Sequence, residues 1–381
     1  MSLALLAGAA LFARSFMQLA GVNAGFDVDR VLAAQMTISA ARYSTPEQRL
    51  AILNAYRDRL KLVRGVTNVS LSLGVPPQAG VTLAERLEAE GASSPVSTDM
   101  ITIPFMQADP AYFATLGIRV LRGRALTEED RRAVDKRVVI DPELARVLWP
   151  NADALGRRFR LGPDDDWMTV VGIATDVKLV GPDDAEGKYG IYYPFPLRPR
   201  SAPYVEIVMR SAGDPRGLVE HVKRAIWAVD AQQPITAVST AREMMAGAVA
   251  KPRFLLTLMG VFAAVALVLA VVGLYGVLSH AVAQRTREIG IRMALGAQPA
   301  HVLRSVLGYG GALTALGVLI GVALAAVGGR VIRSRLFGVA PLDPVALVAA
   351  GGTLAVFALI ACYVPARRAT KVDPLVALRS E

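Results

Sequence analysis

The stretch that decides the fold is FLLTLMGVFAAVALVLAVVGLYGVLS, residues Phe254–Ser279, which contains no charged side chain. The chain has 381 residues, and two more uncharged runs follow at Ser305–Gly329 and Val345–Val364. Each run is about twenty residues or longer, which is enough for a helix to cross roughly 30 Å of hydrocarbon. A buried core helix is the alternative for a single run. Three such runs in the last third of the chain instead predict membrane spans at about 254–280, 305–329 and 345–364.

The first apolar segment, Ser2–Ala13, is shorter than these runs and ends at Arg14. Its length suits the core of a cleaved signal peptide, but no basic residue precedes it. We therefore predict a membrane helix over residues 1–20 that is short or truncated, with a cleaved signal as the alternative. The predicted fold is an α-helical membrane protein with four spans, the first of them short or truncated.

Positive charge lies beside the apolar runs. The formal net charge is +10. Cations follow the second and fourth predicted spans at Arg285, Arg287, Arg292, Arg304, Arg367, Arg368, Lys371 and Arg379. Such residues favour the cytoplasmic side and anionic lipid, so the charge indicates membrane lipid as a partner and not nucleic acid. The contrast is imperfect, because the loop between the last two spans carries Arg330, Arg333 and Arg335.

Residues 21–250 show the mixed patterns of a large α+β domain. Strand patterns cover residues 31–40, 66–73, 166–180 and 204–211, and helix patterns cover residues 45–65 and 214–230. A strand followed by a short helix is predicted over residues 137–150, with Asp141 as the N-cap and Pro142 in the first turn. With four spans, this domain lies on the face opposite both termini, which makes it extracytoplasmic if the termini are cytoplasmic.

The end of this region predicts a helix that leads toward the second span. Thr240 and Glu243 have the spacing of a capping box. The predicted helix runs through Met244 and Met245 toward Phe254, interrupted at Lys251-Pro252. Two interpretations stay open: a mechanical link between the domain and the membrane, or an ordinary linker helix.

The stretch QRTREIGIRMALGAQPAHVLR, residues 284–304, separates the second and third spans. It predicts a short amphipathic helix over residues 285–296 that ends at Gly296, and Pro299 suits the first turn of the next helix. Its apolar side chains are Ile289, Met293 and Leu295. Periodicity leaves two alternatives open, a helix that lies on the lipid surface and a docking element for a cytoplasmic partner.

Several segments resemble one family. RTREIGIRMALGA, residues 285–297, resembles the segment after the second membrane helix of FtsX-like permeases of the MacB type, which are ABC transporter subunits. YVPARRATKVDPLVALRSE, residues 363–381, is similar to the end of that family. Residues 109–130, 137–159 and 169–181 are similar to its periplasmic core domain. The resemblance spans nearly the whole chain.

The resemblance implies a multi-pass permease of the bacterial inner membrane that is not itself an enzyme. It implies as partners a cytoplasmic ABC ATPase, a second permease unit (an identical copy or a duplicated half) and a periplasmic adaptor. ATP and magnesium would bind the ATPase, and this chain would hold no cofactor. ATPase closure would move the periplasmic domain and drive export. The implied ATPase-coupling helix consists of Arg287, Glu288, Ile289, Gly290, Ile291, Arg292, Met293, Ala294, Leu295 and Gly296.

Two features depart from the MacB pattern. The chain has no ATPase motif, since GPDDAEGK, residues 181–188, lacks the spacing of a P-loop. ALLAGAALFARSF, residues 4–16, is similar to the midpoint of duplicated orphan permeases. An orphan half without an ATPase partner is therefore an alternative. A second alternative is a non-transport FtsX-like scaffold or signalling protein that regulates periplasmic factors.

No pattern indicates catalysis or metal binding. His221, His280 and His301 lack partners at metal-ligand spacing, and Cys362 is the only cysteine. Asp164–Asp166 lack the glycine and distal glutamate of a calcium-binding loop. The sequence thus predicts no catalytic residue and no metal site.

Overall fold

The computed structural model describes residues 2–20, 23–84, 86–91, 101–180, 189–196, 204–284, 299–331 and 343–369. The chain forms two compact units. The helical unit comprises Met1–Gly21 and Lys251–Glu381, and the inserted domain comprises Val22–Ala250.

The inserted domain is built on one sheet, which has 12 strands among the described residues. They are β1 (Val31–Met36), β2 (Val66–Leu73), β3 (Gly80–Ala84), β4 (Glu88–Ala89), β5 (Ile101–Ala108), β6 (Val120–Gly123), β7 (Lys136–Ile140), β8 (Arg158–Arg160), β9 (Met168–Ala174), β10 (Ile191–Pro194), β11 (Val205–Ser211) and β12 (Ile235–Thr240). The main order is β12-β1-β11-β2-β5-β10-β7-β9-β8-β4, with β3 paired to β5 and β6 paired to β9. The pairs β5–β10 and β7–β9 are parallel, and the others are antiparallel.

Six α-helices of the inserted domain are described, together with one turn of 3-10 helix at Pro215–Leu218. They are α2 (Pro46–Lys61), α3 (Tyr112–Leu116), α4 (Glu128–Arg132), α5 (Pro142–Leu148), α6 (Val219–Val229) and α7 (Ala241–Ala248). The mixture of helices with a largely antiparallel sheet confirms the predicted α+β class.

Side chains of β1 alternate between two hydrophobic clusters on opposite faces of the sheet. Leu32, Ala34 and Met36 lie in one cluster. Val31 and Ala33 lie in the other. Successive side chains of a strand point to opposite faces, so β1, which is apolar at every position except Gln35, is buried on both sides.

Helices α2 and α6 cover the first of these faces. Leu53, Tyr56 and Leu60 of α2 are fully buried there. They pack in the same cluster as Val222 and Ile226 of α6. The buried residues of each helix recur three or four positions apart, as one face of a helix requires. The Thr45 side chain caps α2 and the Asp141 side chain caps α5, the latter accepting a hydrogen bond from the Leu144 amide at 2.6 Å.

Two helix boundaries differ from the sequence-based expectation. Helix α2 ends at Lys61, before Gly65, whose φ of +96° instead serves the turn into β2. The helix that begins after Thr240 stops at Ala248, and a new helix starts at Ala250. The predicted interruption at Lys251-Pro252 is therefore wrong by a few residues. Pro252 fits within the first turn of the second helix, where its missing N–H has no intrahelical acceptor.

The helical unit contains α1 (Ser2–Ala20), α8 (Ala250–Gln284), α9 (Pro299–Val331) and α10 (Pro344–Ala369). Three segments of described helix are long and apolar enough to cross a membrane, at Arg253–Gln284, Gly308–Val327 and Pro344–Pro365. The apolar part of α1, Ser2–Gln18, is shorter than this threshold. The expectation of four spans is therefore not confirmed.

Candidate functional site

The predicted ATPase-coupling helix, Arg287–Gly296, lies outside the described residues. The structure describes the helices on either side of it. Helix α8 ends at Gln284, whose side-chain amide lies 3.0 Å from the ring of His280. Helix α9 begins at Pro299, the residue that the sequence predicts for a first turn. The coupling residues stay a prediction.

Helices α1, α9 and α10 pack against one another through small side chains. Leu3 and Ala7 of α1 lie in one buried cluster with Ala325 of α9 and Ala350 of α10. At Gly321 of α9, an added Cβ would lie 2.6 Å from the Leu3 Cβ, closer than real side chains approach. Small residues permit such contacts between membrane helices, where packing replaces the hydrophobic effect.

Helices α9 and α10 make a second close approach at Gly310. A Cβ at this position would lie 2.6 Å from the Sγ of Cys362 in α10. Gly310 and Gly321 thus lie at close helix contacts, whereas a Cβ added at Gly308, Gly311 or Gly317 would meet nothing within 4 Å among the described residues.

A charged pair joins α1 to the start of α10. The Arg14 guanidinium donates a hydrogen bond to the Asp343 carboxylate, whose side chain is only 12% exposed. The same carboxylate accepts from the Ala346 amide at 3.0 Å and so caps α10. Sequence reasoning missed this pair. Its signals were an aspartate directly before a helix-opening proline and an arginine at the end of the first apolar segment.

Helix α8 is much less covered than its neighbours. Only 6% of the most apolar stretch of α8 is buried inside the protein, whereas 28% of the corresponding stretch of α10 is buried. An apolar cavity of about 200 Å³ lies between α8 and the other three helices, and Leu274 of α8, Leu3 of α1 and Leu313 of α9 line it. The large apolar side chains of α8, including Phe254, Val268 and Leu269, are exposed. The close packing of the described helices is therefore mainly that of α1, α9 and α10, which α8 joins at the buried Leu278, 3.3 Å from a Cβ added at Gly310.

Within the inserted domain, the two segments that continue into membrane helices share one hydrophobic cluster. We call it the junction cluster. Ala24 and Phe26, which follow α1 in the chain, are buried in it. Ala241 of α7 is buried in the same cluster, and Met244 and Met245 pack against it. The chain thus enters and leaves the domain through a single patch of core.

The entry segment is fixed by its backbone. The Lys178 amide donates to the Ala24 carbonyl at 3.1 Å, and the Asp27 amide donates to the Leu116 carbonyl at 2.8 Å. Gly25 has φ +81°, and a Cβ there would lie 2.0 Å from the backbone oxygen of Asp176. Only glycine fits such a conformation at such a distance.

The exit segment is fixed by the cap of α7 and by surface ion pairs. The Glu243 amide donates to the Thr240 hydroxyl at 3.2 Å, and the Thr240 amide donates back to the Glu243 carboxylate at 3.0 Å, which confirms the predicted capping box. This bond from the Thr240 amide holds the pKa of Glu243 below its ordinary value. Arg216 pairs with Glu243 at 3.3 Å and Arg242 pairs with Asp29, both near the surface. Exposed pairs of this kind stabilise weakly.

An α+β domain inserted after a first apolar helix and followed by three apolar helices of membrane-spanning length indicates a membrane protein with a large inserted domain. Residues 12–227 match the MacB-like periplasmic core domain, and residues 260–374 match the FtsX-like permease C-terminal family. The chain belongs to this family of ABC transporter permeases. Neither matched region is an ATPase domain.

The chain is similar to the pyoverdine export ATP-binding/permease protein PvdT of Pseudomonas aeruginosa, with 30% identity over 69% of this chain and 40% of that protein. It is also similar to the uncharacterized ABC transporter permease YknZ of Bacillus subtilis, with 25% identity over 71% of this chain and 68% of that one. The crystal structure of the periplasmic region of MacB from Actinobacillus actinomycetemcomitans aligns with 58% of this chain and 92% of its own, with 13% identity and a TM-score of 0.38. The chain thus spans about 40% of the length of the PvdT protein that it matches.

Proposed function

We propose that this chain is the permease subunit of an export system of the bacterial inner membrane. A separate cytoplasmic ABC ATPase, which binds ATP and magnesium, docks on residues 287–296. A second permease unit completes the membrane part, and a periplasmic adaptor receives the motion outside. Helix α8 transmits ATPase closure to the inserted domain, and no bond of a substrate is made or broken by this chain.

The observation that carries the proposal is the junction cluster. Both connections between the domain and the membrane helices, the entry segment and α7, end in this cluster. A displacement of one connection therefore moves core residues that belong to the same cluster as the other. Close-packed interiors transmit strain because they cannot be compressed. The buried Ala241 of α7 supports α8 as the moving part, since α8 follows α7 after the single residue Val249.

The sequence between α8 and α9 supports the docking site. Its apolar side chains, Ile289, Met293 and Leu295, stand in a basic context directly after a membrane-spanning helix. Helix-in-groove recognition uses this kind of spacing. The name of the PvdT protein joins ATP binding and permease in one polypeptide, which supports an ATPase as the partner of this permease region.

The experiment replaces Ile289 and Met293 with Asp together. We expect recovery of the ATPase with the detergent-solubilised chain to fall by at least about tenfold, because two buried apolar anchors contribute on the order of 3 kcal/mol or more. Membrane insertion should be unchanged. Mass spectrometry of the affinity-purified protein from native membranes measures both.

The matched control makes the same chemical change at two exposed apolar residues of the inserted domain, Leu62 and Val134. This double variant should recover the ATPase as the native chain does. Equal recovery with Ile289→Asp and Met293→Asp would contradict the docking site and leave residues 287–296 as a helix on the lipid surface.

A further inference from the structure

The inserted domain contains a cleft that the proposed coupling function does not use. It has a volume of about 470 Å³ and lies beside the ends of β5 and β10, with α4 on one side. Its lining includes Phe105 and Gln107 of β5, Tyr193 of β10, and Arg131 of α4. We call it the β5–β10 cleft. Clefts of this size hold small molecules in many proteins.

Arg131 is a buried cation with one unused donor. Its side chain is only 4% exposed. The Nε donates to the Phe195 carbonyl at 2.8 Å, and Nη1 donates to both carboxylate oxygens of Glu128 at 2.9 Å. The Nη2 is buried and has no hydrogen-bond partner among the described residues. A buried donor without a partner is costly, and such exceptions mark sites where a ligand or solvent completes the bonding.

Gln107, which also lines the cleft, has an unused acceptor. Its Oε1 is buried and has no hydrogen-bond partner in the part of the chain that the structure describes. An occupant that satisfies both groups must accept a hydrogen bond from Arg131 and donate one to Gln107. The carboxyl end of a peptide offers both, because its terminal carboxylate accepts and the adjacent backbone N–H donates.

One wall of the cleft is apolar and aromatic. Phe105 and Tyr193 meet edge to face with ring centroids 5.8 Å apart. Leu161 and Met168, both buried, line the same cleft. An apolar or aromatic side chain on the occupant would be removed from water here, which is the main source of affinity in small-molecule sites.

The remaining lining argues against a simple anion. Asp135 and Asp166 line the cleft, each in an ion pair at 3.0 Å, the first with Arg137 and the second with Lys136. Asp165 also lines it and is exposed, with no ion pair among the described residues. Carboxylates at the edge disfavour phosphate or sulfate and favour an occupant that also carries a positive charge.

We propose that the β5–β10 cleft binds the carboxyl end of a short zwitterionic peptide with an apolar last side chain. The terminal carboxylate contacts Arg131, the adjacent N–H contacts Gln107, and the last side chain packs on Phe105 and Tyr193. The free ammonium group faces Asp165. This inference depends on the cleft alone and stands apart from the proposed coupling to an ATPase.

The test is isothermal titration of the full chain in detergent with the tripeptide Ala-Ala-Phe. We expect saturable 1:1 binding. The C-terminal amide of the same peptide should bind at least about tenfold more weakly, because it loses a hydrogen bond between charged groups. The N-acetylated peptide should bind only about two- to fivefold more weakly, since Asp165 is exposed and its attraction is screened. Inorganic phosphate should not compete.

Two variants locate the site. Asp165→Asn should bind Ala-Ala-Phe about two- to fivefold more weakly and should no longer distinguish the free from the N-acetylated peptide. Arg131→Gln should bind the free acid and the amide equally. If that variant does not fold, the comparison of acid with amide on the native chain still decides. No binding of Ala-Ala-Phe at millimolar concentration, or equal binding of acid and amide to the native chain, overturns the proposal.

Discussion

The two connections between the inserted domain and the membrane helices are built differently. The entry segment, residues 24–27, is fixed by backbone hydrogen bonds and by a glycine against the Asp176 carbonyl. The exit, α7, is held by one fully buried alanine, two half-buried methionines and ion pairs at the surface. A backbone anchor has one geometry, whereas flexible side chains such as methionine adapt to several. The entry is an anchor, and the exit is compliant.

The helical unit repeats this contrast. Helix α1 is packed on α9 and α10 and tied to Asp343 by Arg14. Helix α8, which continues from the compliant exit, is largely uncovered. The consecutive helices α7 and α8 are therefore the loosely held elements, α7 in the inserted domain and α8 in the helical unit. This asymmetry favours α8 as the element that moves and α1 as the fixed reference.

The largest effect is expected when the entry and exit sides of the junction cluster are compared by mutation. Phe26→Ala should lower the free energy of unfolding of the domain by about 3–5 kcal/mol, because it empties a buried aromatic site. Met245→Ala, in the same cluster but half-buried, should cost only about 1–2 kcal/mol. All three tryptophans, Trp149, Trp167 and Trp227, lie in the inserted domain, so urea unfolding followed by their fluorescence measures it alone. Equal losses would remove the distinction between anchor and compliant exit.

The next largest effect is expected from the close contact between Gly25 and the Asp176 carbonyl in the entry segment. Gly25→Ala should lower the free energy of unfolding by about 2–4 kcal/mol, of which about 1 kcal/mol comes from the left-handed backbone and the rest from crowding against Asp176. Gly91 has nearly the same φ, +80° against +81°, but no described residue lies within 4 Å of an added Cβ. Gly91→Ala should therefore cost only about 1 kcal/mol in the same fluorescence assay. If the two alanine variants match, the entry is not an anchor.

The smallest effect compares the packed and the uncovered membrane helices. Gly310→Val should push Cys362 from its buried site and favour local opening by about 1–2 kcal/mol, which is roughly 5- to 30-fold faster maleimide labelling of this single thiol. Gly273→Val in α8 makes the same change at a position where none of the described part of the chain lies within 4 Å of an added Cβ. That control should label at the native rate. Faster labelling in both variants would mean that α8 is as tightly packed as α9.

Local patterns in the sequence predicted local structure well. The capping residues Asp141 and Thr240 are where the sequence places them, because a cap depends on neighbours within four residues. The inward faces of α2 and α6 also follow from spacing alone. The apolar runs identified three helices of membrane-spanning length for the same reason.

Contacts between distant residues were not predictable in this way. The pair of Arg14 with Asp343 joins residues 329 positions apart, and Gly25 is crowded by a loop that follows β9. The β5–β10 cleft needs a parallel pairing of strands separated by more than 80 residues, which no local period encodes. The break between α7 and α8 lies at Val249 and depends on the conformation at the carboxyl end of α7. The sequence therefore predicted its position only to within a few residues. The coupling residues 287–296 stay a prediction from pattern and family.

The most direct test of transmission through α8 is hydrogen–deuterium exchange of the full chain together with the ATPase proposed as its partner, compared between the nucleotide-free and ATP-bound states. Transmission through α8 predicts changed protection of amides in α7 and the first turns of α8, residues 241–256, and unchanged protection at residues 24–28. Exchange of a backbone amide measures local opening of the helix that contains it, so a change in exchange locates the segment that responds to nucleotide. Unchanged exchange in both segments, or a change confined to residues 24–28, would contradict transmission through α8.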